Sequence, residues 1–414
     1  SVWAASLTSQ PDIVIASPVA NRNRNDLEGI IGFFVNTLIL RMNCSTNVTF
    51  RNYLSQAKQI CLKAYEHQDV PFEKVIEALQ IRRDLKRAPL SQMAFSLQKM
   101  VMRDQSLGDV KAEFSPIDTK TAKTDLTLFM LDYEEYLEGL VEYNTDLFDE
   151  KTVAGFMAHF QGLLDALVQD PDQTLLKLVK KANLPTENIL TRTDPLTILN
   201  ADVNATNLTA NQMMMWFGQK LYPQTCLYNT VLVCTLHEPV HLEVFELALQ
   251  HLIDTSDSLR MVFQEINGVP QMQQKVHMLS DLTYLDLTAC ADPTQQAQEW
   301  IHSHKKKVLD ITQRCFECAL IKLSHDKYFW YINMHHIITD GRSHMMAYVK
   351  LTEYYRALIE GEDLFVDNQE RESYQDYIAH EHFFSQTPRH AAARAYWDQE
   401  LKKEVPSLIF YGRD

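Results

Sequence analysis

Tyr328-Phe329-Trp330-Tyr331-Ile332-Asn333-Met334-His335-His336-Ile337-Ile338-Thr339-Asp340-Gly341 is the stretch on which the fold and the chemistry of this chain turn. Its first seven residues are almost wholly apolar and short enough to read as a buried strand. The strand delivers two adjacent histidines at its end, and an Asp-Gly turn leads into the helical pattern of Gly341 to Gly361. A polar pair placed where a strand stops has a rigid base and an exposed tip, which suits catalysis. A neutral imidazole there can take a proton from an attacking amine or hold the amine by a hydrogen bond. Gly341 is read as allowing a tight turn and leaving room for a substrate. Asp340, four residues beyond His336, is read as the acid of an ion pair that locks the turn. A zinc site would want a third ligand, and no H-E-x-x-H pattern lies nearby.

Outward from this stretch the pattern is mixed α/β. The second half reads as helix Thr209 to Leu221, strand Cys226 to Leu236, helix His241 to Thr255, strands Arg260 to Glu265 and Gln271 to Val276, and helix Pro293 to Val308. Strand Cys315 to Leu323 precedes the central stretch, and helix Pro388 to Lys403 follows it. The first half opens with helical turns at Ser1 to Ala5 and a strand from Asp12. An extended segment follows at Ile30 to Leu40, then helical periodicity from Phe50 to Leu79. Strands recur at Ser91 to Leu97, Leu126 to Leu131 and Leu137 to Asn144, and a long helix covers Asp149 to Val168. Strands followed by helices in this order predict an α/β fold, an α+β sandwich with helices on the sheet. Residues 183 to 206 have two prolines, many polar residues and no periodicity, so they read as a linker.

Composition narrows the function classes. The formal net charge of −15 and a pI near 5.5 argue against nucleic-acid binding, which needs a basic excess. Lys305-Lys306-Lys307 is a local exception, read as a solvated helix face. Seven scattered cysteines suit reduced thiols in a cytoplasmic setting. Cys315 and Cys318 form a lone C-x-x-C within a strand, read as core packing. No apolar run approaches the length of a membrane span.

His335 to Gly341, with Met334 before and Ser343 after, resembles the core motif of the condensation domains of nonribosomal peptide synthetases. That family belongs to a superfamily similar to chloramphenicol acetyltransferase. Leu208 to Trp216, Ser258 to Phe263, Tyr374 to Ala379 and Tyr396-Trp397 are similar to further segments of its N-terminal lobe. The first half resembles the C-terminal lobe. Ser17 to Arg22 and Ile31-Gly-Phe-Phe-Val-Asn-Thr-Leu38 look like its I-G-x-F-V-N-T motif and lead-in. His67-Gln-Asp-Val-Pro-Phe-Glu73 looks like H-Q-D-x-P-F-E, Arg83 to Leu90 like R-D-x-S-R-x-P-L, and Tyr143 to Phe148 like the closing strand.

The resemblance implies two chloramphenicol acetyltransferase-like lobes in an order reversed for one domain. Residues 1–182 read as the C-terminal lobe of one condensation domain and 207–414 as the N-terminal lobe of a second, with 183–206 between them. The activity implied is amide-bond formation between a donor acyl or peptidyl thioester and an acceptor aminoacyl thioester. His336 would position or deprotonate the amine, with His335 and Gly341 beside it and Asp340, Asn36 and Arg260 in structural roles. Alternatives are a starter-type acylating domain and a catalytically inactive recruitment module. No cofactor or metal is expected to bind directly. Phosphopantetheine arms would arrive on donor and acceptor carrier domains, and neighbouring synthetase modules would be further partners. Because each half lacks its own other lobe, the chain is expected to hold half an active site and to condense poorly by itself. Departures from the family pattern are Met214 where an Arg is usual, Thr255-Ser256-Asp257 in place of Arg-His-Glu, and Arg342 after the glycine. Arg342 is read as solvated, and Asn36 as a candidate for a hydrogen bond across the lobe junction. His67, Asp69 and Glu73 are read as fold support.

Overall fold

Ile13, Val14 and Ile15 are β-branched residues with almost no exposed surface, and they set the inner strand of the first half's sheet. The computed structural model of the chain describes residues 1–44, 48–79, 90–99, 106–107, 110–116, 121–175, 177, 206–364, 373–401 and 408. Helix α1 (Val2–Thr8) precedes β1 (Asp12–Val19), and β2 (Asn36–Asn43) pairs with β1 antiparallel. Helices α2 (Phe50–Glu66) and α3 (Phe72–Ala78) follow, then β3 (Met93–Lys99), β4 (Ser106–Leu107), β5 (Val110–Pro116), β6 (Leu126–Asp132) and β7 (Leu137–Tyr143). Five of these strands make one sheet in the order β2-β1-β3-β6-β7. Helix α4 (Glu150–Gln169) starts at Asp149, whose carboxylate accepts the Thr152 N–H at 2.7 Å. It buries Val153, Phe156, Leu163 and Leu167, a stripe at helical spacing.

The second half begins with α5 (Ala210–Leu221), whose Thr209–Gln212 capping box satisfies two free N–H groups at its start. Strand β8 (Asn229–His237) and α6 (Leu242–Thr255) come next. Helix α6 buries Phe245, Ala248, Leu249, Leu252 and Ile253. The hairpin β9 (Met261–Ile266) and β10 (Val269–Gln274) stands apart as a two-stranded ribbon. Then follow β11 (Thr283–Asp286), α7 (Pro293–His304), β12 (Phe316–Ser324), β13 (Lys327–His335) and α8 (Gly341–Ile359), with α9 (Tyr374–Phe384) and α10 (Pro388–Leu401) last. Strand β13 is central and covered on both faces. Trp330, Ile332 and Met334 enter the main core, while Tyr331 packs towards Ala297 and Ile301 of α7. This accounts for its unbroken apolar run.

The halves exchange elements. The second sheet runs β11-β12-β13-β8-β5-β4, so two strands from the first half complete it. Strand β5 pairs antiparallel with β8 from Lys111↔His237 to Pro116↔Leu232. Leu27, Ile30, Ile31, Phe33 and Phe34 of the first half are buried in the second half's core. In return Ala393, Trp397 and Leu401 of α10 are buried in the first half's core. The expectation of half a site beside an unrelated tail is therefore not what the structure shows. Each half presents an apolar surface too large to leave in water, and each covers the other's.

Two local expectations change for the same reason. The extended reading of Ile30 to Leu40 holds as strand only from Asn36, because residues 30–34 leave the sheet to plug the other half. Lys305 to Lys307 form a turn after α7 rather than a helix face, and Lys305 is buried. No disulfide joins any of the seven cysteines, and Cys315 and Cys318 lie in the core. Arg83 to Pro89 and residues 183–205 lie outside the described residues. No described helix is long and apolar enough to cross a membrane.

Gly32 marks where the halves close. A Cβ added there would overlap the Tyr374 ring, whose hydroxyl donates to Phe33 O at 2.7 Å. Gly32→Ala should cost about 1–3 kcal/mol through overpacking, read as a lower urea midpoint in equilibrium unfolding. Gly29→Ala, where the added Cβ meets nothing within 4 Å, should be close to neutral.

Candidate active site

The turn after β13 is built by backbone geometry before any chemistry is asked of it. The His335 N–H donates to Cys315 O at 2.8 Å, and the His336 N–H donates to Tyr228 O at 2.7 Å. A single 3-10 turn, His336–Ile338, follows, and Asp340 then caps α8 by accepting the Ser343 N–H at 2.8 Å. From α5, Gln212 donates its amide to Ile337 O at 3.0 Å, while Asn211 donates to Val35 O at 2.8 Å. The opening helix of the second half thus holds both the histidine turn and the first half's loop.

The two histidines have different surroundings. His335 has no exposed surface. Its Nδ1 accepts the Ile337 N–H at 3.1 Å, and its Nε2 faces Gln219 Oε1 at 3.2 Å. An acceptor Nδ1 fixes the proton on Nε2, so both nitrogens are committed and neither can reach a substrate. His336 is half-buried. Its Nδ1 lies 3.0 Å from Thr339 O, which can only accept, so Nδ1 carries the proton and the Nε2 lone pair is free. Phe33 of the first half packs edge-on against the His336 ring with centroids 5.6 Å apart.

Burial, reinforced by the positive charge of Lys123, pushes His335 down to about 3. The same two causes push His336 well below the ordinary histidine range. Protein atoms crowd its ring, so an imidazolium there would be poorly solvated. Lys123, from the segment leading into β6, is exposed, and its charge reaches a site built from the other half. Behind the turn, His344 Nε2 lies 2.5 Å from the Thr230 hydroxyl, which donates to Met334 O at 2.9 Å. Thr230 must therefore accept from His344, leaving Nδ1 of that ring deprotonated, buried and without a hydrogen-bond partner. Burial pushes His344 down to about 4.

Asp340 is buried, and its charge is answered from the first half. Arg22 lies 3.5 Å from Oδ1, with the two side chains only 2% and 5% exposed. The Phe34 N–H donates to Oδ2 at 3.1 Å. Arg22 also donates to Ser343 Oγ at 3.0 Å, to Ile30 O at 2.8 Å and to Leu27 O, and its guanidinium lies 4.0 Å from the centre of the Phe34 ring. Arg342, by contrast, points outward to Glu28 at 3.6 Å and is about half exposed.

The remaining expected site residues fall in different places. Gly341 has an ordinary backbone, and an added Cβ would meet nothing within 4 Å. The tight-turn reading of this glycine gives way to one of open space at Gly341 itself, because the chain there already follows helical dihedrals. Asn36 is buried and bonds within its own half rather than across the junction. It donates to Gln68 O at 2.7 Å and Val70 O at 2.8 Å, and accepts from Thr37 N at 2.8 Å and Phe72 N at 3.0 Å. That ties down the loop of His67 to Glu73, where His67 O accepts from Trp397 and Asp69 pairs with Arg389. Arg260 donates to the carbonyls of Ile253, Lys275 and Val276 at 3.1–3.2 Å, far in sequence from the histidine turn. Met214 is 41% exposed, so losing the usual cation there removes nothing from the core.

Arg22, Lys123, Gln212, Gln219 and His344 carry the site's electrostatics and support, and inspection of the sequence assigns none of them a role there. His344 has a signal, standing three residues into the helix that follows Gly341. Gln219 has another, one helical turn beyond the buried Trp216. Arg22 ends the segment that resembles the family's lead-in, but nothing along the chain pairs it with Asp340, 318 residues away. Among the described residues no three His, Cys, Asp or Glu side chains cluster in a way that would hold a metal.

Comparison with known proteins supplies independent findings. The model of the Condensation domain family matches residues 1–187 and 204–410. Tyrocidine synthase 3 of Brevibacillus parabrevis is 37% identical over 189 residues, covering 46% of this chain and 3% of that protein. Chondramide synthase cmdD of Chondromyces crocatus is 41% identical over 171 residues, covering 41% of this chain and 4% of that protein. The chain thus spans a few percent of the length of these relatives. The crystal structure of the starter condensation domain of rhizomide synthetase RzmA aligns at 28% identity and a TM-score of 0.44, covering 49% of this chain and 50% of that one.

Depressed histidines make stability pH-dependent in a fixed direction. Below the unfolded value near 6.5, the unfolded chain binds protons that folded His335 (about 3) and His344 (about 4) refuse. Their contribution is fully present above pH 6.5 and is lost as pH falls from there towards 4. The urea midpoint should therefore decline less between pH 7 and pH 5 in His344→Gln than in the parent chain. Arg22→Met, which strands Asp340 in the core, should cost about 3–5 kcal/mol by the same assay.

Proposed function

The chain belongs to the condensation-domain family, and on that premise we propose that it forms an amide bond between two carrier-bound thioesters at His336. Membership, the half-buried imidazole with a free Nε2 and the open space beside Gly341 support this reading together. The single observation that carries it is the contact of His336 Nδ1 with Thr339 O at 3.0 Å, which places the proton on Nδ1 and leaves the Nε2 lone pair of this half-buried ring for an incoming N–H.

The reaction balances without a cofactor. The acceptor's amine nitrogen attacks the donor thioester carbonyl, forming a C–N bond and a tetrahedral centre. The nitrogen loses a proton, the C–S bond breaks, and the donor sulfur leaves to be protonated as a thiol. His336 is too weak a base to strip an α-ammonium group of pKa about 8. It accepts a hydrogen bond from the neutral amine and takes the proton only as C–N bond formation makes that nitrogen acidic. Holding both thioesters at one point supplies the larger part of the acceleration, by making a bimolecular step effectively unimolecular. Burial, with the positive charge of Lys123 behind it, keeps the imidazole neutral between turnovers. His335 and Asp340 act as positioning groups, since the ring of the first is fully committed and the charge of the second is held by Arg22.

The thioesters would be carried by phosphopantetheine arms on donor and acceptor carrier domains, with neighbouring synthetase modules supplying those carriers. The first half provides Phe33 against the His336 ring and Arg22 beneath the turn, so residues 1–182 and 207–414 act together in this reading.

The test is to supply the purified chain with an acyl-loaded donor carrier and an aminoacyl-loaded acceptor carrier and to detect the amide product by mass spectrometry. Product should form, and His336→Ala should lower its rate about 10²–10⁴-fold while leaving the urea midpoint nearly unchanged. Equal rates for the parent chain and His336→Ala would sink the proposal.

A further inference from the structure

Gln219 lies on the last turn of α5, buried, and touches both supports of the histidine turn. Its Oε1 is 3.2 Å from His335 Nε2. Its amide nitrogen faces three carbonyls, Tyr222 O, Pro223 O and Thr225 O, at 3.3–3.5 Å. Those carbonyls belong to the connection that leads into Tyr228, and Tyr228 O receives the His336 N–H at 2.7 Å. One side chain therefore braces the ring before His336 and the loop that binds His336's own backbone.

We propose that Gln219 is a positioning residue that selects the Nε2–H tautomer of His335 and so fixes the turn presenting His336. The inference rests on the amide-forming reading only for its kinetic consequence. The network closes in one sense alone. Three carbonyls can only accept, so the Gln219 nitrogen must face them and its oxygen must face His335. That oxygen requires a proton on Nε2, which leaves Nδ1 as the acceptor for the Ile337 N–H at 3.1 Å. The opposite tautomer would set Nδ1–H against the Ile337 N–H, donor against donor, in a place with no exposed surface. The turn would then open, and His336 would lose its registration with Thr339 O.

The test reads the tautomer directly. In chain labelled with nitrogen-15 histidine, long-range proton–nitrogen spectra should show His335 protonated at Nε2 near pH 7.5. Gln219→Leu, which removes the acceptor, should shift His335 towards the Nδ1–H form or a mixture. Gln219→Met, which removes the acceptor at nearly the same side-chain length, should shift the tautomer likewise and decides the matter if the leucine variant fails to fold, while Gln219→Glu, which keeps an acceptor, should retain Nε2–H. Turnover by Gln219→Leu should fall about 10–100-fold in kcat with little change in KM. His335→Asn places an amide oxygen where Nδ1 accepts, so Gln219→Leu should cost less than about twofold in that background. An unchanged His335 tautomer in Gln219→Leu overturns the proposal, as does an equal kinetic cost in both backgrounds. Because the spectra need no turnover, a shifted tautomer in an inactive chain upholds Gln219's role and counts only against amide formation.

Discussion

Asp340 carries a negative charge in a place with almost no access to water, and everything around the histidine turn depends on that charge being answered. Its carboxylate receives the helix N-terminus of α8, the Phe34 N–H and the Arg22 guanidinium, so three sources of positive potential converge on one group. Two of the three come from residues more than three hundred positions away in sequence. Closing the halves is thus the condition under which this acid can be buried at all. A pair of this kind adds little net stability over an apolar contact. It is unforgiving of any arrangement that separates the partners, and so it selects one way of docking.

The histidine pair shows how one strand end serves two purposes. His335 is the last residue of β13 and is buried with both nitrogens spent on structure. His336, one residue on, falls where the strand stops and the 3-10 turn begins, so its ring comes partly free. The period of two along a strand forces such neighbours apart, and the turn keeps the second from following the first. Burial depresses the basicity of both rings, yet only His336 keeps a nitrogen that a substrate could meet.

The two halves of the chain interlock around the histidine turn in this structure. Strand β5 extends the second sheet, residues 27–34 fill the second core, and α10 fills the first. Chain order fixes which segments are near neighbours along the backbone. It does not fix which apolar surfaces match, and matching surfaces decide packing once the connection is long enough to let them meet.

The sequence determined most local structure here, because local structure follows from local periodicity. The apolar run of β13 and the helical spans of α5 and α6 are all legible in it. The motif around His336, the Asp340 turn and the resemblance of each half to a family lobe are legible too. Residues 30–34 read as extended but leave the sheet, since an apolar run reports burial without saying which partner buries it. Strand β5 escapes a reading along the chain because its partner lies in the other half. The tertiary structure alone decided that Arg22 neutralises Asp340, that the charge of Lys123 is felt by the histidines and that Gln219 commits the His335 ring. Each is a contact between charges or hydrogen-bonding groups remote in sequence. Such contacts depend on distances that only the packed chain defines, and no spacing along the backbone encodes them.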